Sequence, residues 1–80
     1  MSNNLITTWF QNGLDIQATH MIIFRDTFDY EDYPVYILPG EDVKEVVEVV
    51  TFYDRNNVIE VYNLALPIEP QLNEQFCFNY

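Results

Sequence analysis

The chain is poor in cysteine, in glycine and in positive charge. Its 80 residues include one cysteine, two glycines and only three basic side chains, Arg25, Lys44 and Arg55. A lone Cys77 excludes an intramolecular disulfide, so the core alone must hold the fold, as is usual for cytosolic proteins. Gly13 and Gly40 are too few and too isolated for a glycine-rich loop that cradles phosphates. Three cations leave little to neutralise a phosphate backbone or an anionic headgroup, so direct contact with nucleic acid or a membrane surface is not expected. No apolar run approaches the roughly 18 residues of a membrane span, and residues 1–10 lack the basic and apolar regions of a leader. The expected compartment is therefore the cytoplasm.

What the chain does have is acid. Thirteen Asp and Glu give a net charge of −10 and a pI near 4.1. With 49% apolar and 16% aromatic residues it still has enough to bury, which separates it from disordered acidic tails. A chain this short hides only about 60 to 65% of its unfolded surface, which predicts one domain over residues 1–80 and no deep, multi-part cleft.

Residues 5–12 (LITTWFQN) are rich in β-branched and aromatic side chains and end at Asn12-Gly13, a turn-forming pair. They read as a strand, paired in a hairpin with a second strand at residues 20–28. Pro34 argues against helix at Tyr33, so residues 35–38 read as a third strand closed by Pro39-Gly40. Val43, Val46, Val47 and Val50 recur at helical spacing behind Glu41 and Asp42, acids suited to the positive end of a helix dipole. This favours an amphipathic helix, with a strand over residues 46–53 left open by the β-branched content. Residues 58–64 read as a strand, Pro67 and Pro70 as the start of a short helix reaching Glu74, and residues 76–80 as a closing strand. The expected fold is α+β, a small antiparallel sheet of four to five strands with one main amphipathic helix on one face.

Eight of the 13 acids fall between residues 26 and 48. On a helix Glu41, Glu45 and Glu48 form a stripe opposite the valines, with steps of about 4.5 to 6 Å along the axis, comparable to phosphate spacing on a nucleic-acid strand. Asp26, Asp29, Glu31 and Asp32 lie on the adjoining loop with Tyr30 and Tyr33, and Asp42 precedes the stripe. Acids steer an encounter and tyrosines supply contact area, so these ten residues are the candidate partner-binding set. Such acids also keep a small protein soluble, but ordinary solubility needs a net charge of magnitude roughly 2 to 8 with the signs interspersed. Trp9, Phe10, Phe24, Phe28, Phe52, Phe76 and Phe78 read as core.

No metal or cofactor site is expected. An EF-hand loop starting at Asp29 would place Tyr33 and Pro34 where an oxygen ligand and a glycine are needed. His20 and Cys77 cannot complete a zinc site. As a base and nucleophile they lack any surrounding signature, and Cys77 between Phe76 and Phe78 has the setting of a buried thiol. No catalytic residues are assigned, and an enzyme is the least favoured class.

The segments DTFDYEDYPVY (26–36), PGEDVKE (39–45) and VIEVYNL (58–64) resemble a pattern in small proteins of phages and mobile elements. In size and charge the chain is also similar to phage-encoded inhibitors of host defence: DNA-mimicking anti-CRISPR, anti-restriction and uracil-DNA glycosylase inhibitor proteins. That resemblance implies action in the host cytoplasm, with carboxylates occupying a basic groove on a nuclease or ribonucleoprotein effector, and it transfers no individual residue. Two alternatives stand beside it. One is an immunity or antitoxin protein for a basic toxin; the other is a self-associating accessory or virion protein, a homodimer joined through Trp9, Phe76 and Tyr80.

Overall fold

The computed structural model describes residues 3–74 and 78–80. Along the chain lie α1 (Asn3–Asp15), β1 (His20–Arg25), β2 (Asp32–Ile37), α2 (Val43–Val49), a π-helical turn (Val50–Asp54), β3 (Asn57–Asn63) and α3 (Ile68–Leu72). The fold is α+β, with an antiparallel sheet in the order β2-β1-β3. That is three strands among the described residues, fewer than the four to five expected. The closing strand falls partly on residues 75–77, outside the described set; Phe78 makes one parallel bridge to Val61 and Asn79 N–H donates to the Val61 carbonyl.

The largest departure is at the N-terminus, where residues 5–12 are helix and pair with no strand. Ile6, Trp9, Phe10 and Gly13 recur at helical spacing and turn inward, and this burial outweighs the β-propensity of Thr7 and Thr8. Gly13 makes no turn. A Cβ there would lie 2.7 Å from Leu64 Cδ2 and 3.0 Å from the Tyr36 ring, so its missing side chain lets the helix sit close on the sheet. The helix, which ends at Asp15, is closed instead by Gln17, whose φ is 62°; Ala18 N–H reaches the Gly13 carbonyl and Gln17 N–H the Leu14 carbonyl, the paired bonds of a Schellman cap.

β1, the central strand, is buried on both faces, and its side chains alternate between two clusters. Met21 and Ile23 join Ile6, Phe10, Tyr62 and Leu64 beneath α1 and α3. Ile22 and Phe24 join Ile37, Val43 and Val61 beneath α2. Helices thus cover both faces of the sheet where one had been expected on a single face. The valines of residues 43–50 are helical, and the strand alternative is not adopted; Asp42 caps α2 by accepting from Lys44 and Glu45 N–H. Pro34 lies on β2, an edge strand, where a missing N–H is tolerated.

A second anchor sits at the far end of β3. The side chain of buried Gln71 pairs with the Asn63 backbone as another strand would, accepting from its N–H at 2.8 Å and donating to its carbonyl at 3.0 Å. The same amide donates to the Pro67 carbonyl, and Asn79 donates to Gln71 Oε1. One side chain thereby ties β3, α3 and the tail together.

Candidate functional site

The ten candidate residues divide into two groups. The first occupies the β1–β2 connection. Asp26 accepts from the Phe28 and Asp29 N–H groups at 2.6 and 3.1 Å, and its carbonyl accepts from Tyr30 N–H, which holds Tyr30 at a φ of 57°. Asp32, opposite Arg25 in the β1–β2 register, takes two hydrogen bonds from its guanidinium, at 2.8 and 3.3 Å. This partner holds Arg25 above its ordinary pKa. Tyr33 stacks on Phe24 and its hydroxyl accepts from Asn56, so it is half-buried.

The second group opens α2. Glu41 Oε1 accepts from Leu38 N–H at 2.8 Å, closing the Pro39-Gly40 turn, where Gly40 takes a φ of 93°. Asp42 is the helix cap, and Glu45 and Glu48 follow on the exposed side. Asp26, Asp32, Glu41 and Asp42 are therefore engaged locally. Asp29, Tyr30, Glu31, Glu45 and Glu48 project into solvent. The stripe keeps only Glu45 and Glu48 unengaged, one helical step of about 4.5 Å apart along the axis.

The two groups do not start side by side. β2 has six residues, so Asp32 and the turn before α2 lie about 20 Å apart along the strand. The chain then returns, since β3 begins with Asn57 opposite Arg25. Asn56, between the π turn and β3, accepts from Thr27 N–H and donates to Tyr33, fastening this return to the β1–β2 connection. The hairpin and the π turn thus share one end of the sheet.

At that end the sequence reading missed a feature. Phe28 and Phe52, read as core, are 89% and 75% exposed, and Phe78 is exposed as well. Phe10 and Phe24 are core as expected, Trp9 is half-buried, and Phe76 lies outside the described residues. Phe52 meets Tyr53 edge to face at 5.2 Å, and Tyr53 is as exposed as its neighbour. Together with Val47, Val49, Arg55 and Val58 this pair lines an open, largely apolar groove of about 900 Å³. For Phe52 the signal was in the spacing, since it falls opposite the stripe set by Val43, Val46, Val47 and Val50; Tyr53, three residues after Val50, continues that stripe, and its exposure gave no such signal.

His20, the remaining titratable candidate, is half-buried, with Nδ1 3.0 Å from Thr19 Oγ1 and no hydrogen-bond partner on Nε2 among the described residues. Burial lowers its pKa from 6.5, and the Tyr80 backbone offsets part of that. Among the described residues no three His, Cys, Asp or Glu side chains are grouped to hold a metal ion, and no helix is long and apolar enough to cross a membrane. No protein-family model matches the chain, and comparisons with curated proteins and with solved structures give no match.

Proposed function

We propose that the chain is a small acidic inhibitor that binds a basic nucleic-acid-handling host protein, such as a CRISPR effector, restriction nuclease or DNA-repair enzyme, and blocks its nucleic-acid site by charge mimicry. The observation that carries this reading is an imbalance. The chain has 13 acids, yet Arg25–Asp32 is the one ion pair among the described residues. Glu45 and Glu48 on α2, and Asp29 and Glu31 on the hairpin, face solvent and form no ion pair among the described residues. Such self-repulsion costs stability, and a basic partner relieves it while being drawn in by the same field. The exposed aromatics add the contact area that charge alone does not provide.

The test is capture from a bacterial host lysate on the tagged chain, washed at low and then high salt, beside a Glu45→Lys/Glu48→Lys variant. A basic nuclease or effector that elutes with salt and is lost from the variant supports the reading. Equal retention by the variant, or recovery of the chain alone, overturns it and favours self-association through the exposed aromatics.

A further inference from the structure

The groove beside the π-helical turn has a composition that mimicry of phosphates does not require. Five consecutive residues, Val50–Asp54, adopt the wide π geometry, which is rare and concentrated at functional sites. The turn ends at Arg55 in a left-handed conformation, φ 58°, and the chain then enters β3. In that geometry Phe52 and Tyr53 are three-quarters exposed, and Val49 at the end of α2 is nearly half exposed. These side chains cluster around one open groove, unlike the scattered single apolar residues usual on a surface.

The charges around the groove restrict what fills it. Glu48 lines it, Asp54 closes the π turn, and Asn56 fastens this end of the sheet to the hairpin that carries Asp29 and Glu31. Against these four carboxylates stands Arg55, since Arg25 and Asp32 pair with each other and Lys44 lies over the Tyr80 ring. A second copy of the chain, itself at −10, would set like charge against like, and an anionic ligand meets the same field. A purely polar cation leaves the aromatics uncovered. The occupant that satisfies both the apolar floor and the acidic rim is a segment with apolar side chains on one side and Lys or Arg on the other.

We infer that the groove formed by Val47, Val49, Phe52, Tyr53 and Val58 docks an amphipathic cationic segment of the partner protein, its apolar side chains in the groove and its basic ones toward Glu48, Asp54 and the hairpin acids. The inference rests on the acidic-inhibitor reading and adds to it an anchoring point that charge mimicry does not supply.

The experiment is a titration of the isotope-labelled chain with a synthetic amphipathic Leu/Lys peptide, its Leu/Glu counterpart and oligolysine, followed by amide shifts and by affinity. The expected result is that the Leu/Lys peptide binds most tightly, with shifts concentrated at residues 47–58, and that the Leu/Glu peptide does not bind. Phe52→Ala and Tyr53→Ala, substitutions of exposed side chains, should each weaken the Leu/Lys peptide about tenfold while leaving oligolysine unchanged. If oligolysine binds as tightly as the Leu/Lys peptide and Phe52→Ala changes neither, the docking inference is overturned and the acidic reading survives. If neither cationic peptide binds, both fail. Concentration-dependent shifts at the same residues without any peptide would assign the groove to a second copy and also overturn it.

Discussion

The two faces of the sheet are covered in different ways. On one, α1 and α3 close over Met21, Ile23, Tyr62 and Leu64, with Gly13 allowing close approach and Gln71 meeting the Asn63 backbone. The aromatics of this face are put away: Phe10 is buried, and half-buried Tyr36 donates its hydroxyl to the Trp9 carbonyl at 2.8 Å. On the other, α2 covers Ile22, Phe24 and Val61 with a row of valines, then widens into the π turn and leaves Phe52 and Tyr53 in solvent. The first face is built for stability. The second turns part of its apolar surface outward, next to Glu48 and Asp54.

Substitutions on the closed face should break this contrast most strongly. Phe10→Ala, which empties a site sealed by Ile6, Tyr62 and Leu64, should cost about 3 to 5 kcal/mol in chemical denaturation. Binding of cationic peptides by the remaining folded molecules should not change. A smaller loss, about 1 to 3 kcal/mol, is expected for Gln71→Leu, which keeps the volume but strips partners from the Asn63 backbone and the Pro67 carbonyl. Hydrogen exchange should then speed up at the end of β3 and in α3 ahead of the rest of the sheet.

His20 contributes a pH dependence that is smaller because the ring is only partly buried. Its pKa is lowered in the folded chain, so the neutral form is favoured by folding. Its contribution is therefore full above pH 6.5, the unfolded value, and is lost as the pH falls through the lower folded value. Thermal unfolding across that range should show the loss, and His20→Gln should remove this part of the slope. The smallest effect on stability is expected on the open face: Phe52→Ala should shift unfolding by no more than about 0.5 kcal/mol, since its ring is mostly in water already. A large loss there would mean that the groove is structural and would erase the contrast.

The sequence displayed the elements whose local chemistry and tertiary burial agree. β1 and β3 showed as β-branched runs, α2 as valines at helical spacing behind the Asp42 cap, and α3 as the helix beginning after Pro67. It concealed α1, because Thr7, Thr8 and Asn12-Gly13 favour strand and turn locally, while the helix depends on contacts with Tyr36 and Leu64 distant in sequence. Of the candidate surface, the identity of the acids was legible and their division of labour was not. Nothing local distinguishes Glu41, which closes a turn, from Glu45, which faces solvent. The exposure of Phe28 and Phe52 was hidden by the habit of placing phenylalanine in the core: Phe52 lies opposite the valine stripe, and Phe28 sits in the turn that Asp26 closes after β1 has ended.

The most direct measurement of the central claim is competition on the captured partner: its affinity for its own nucleic acid, measured with increasing amounts of this chain at low and moderate salt. Displacement should weaken as salt rises and be lost in Glu45→Lys/Glu48→Lys. An unchanged nucleic-acid affinity at saturating amounts of the bound chain would contradict it.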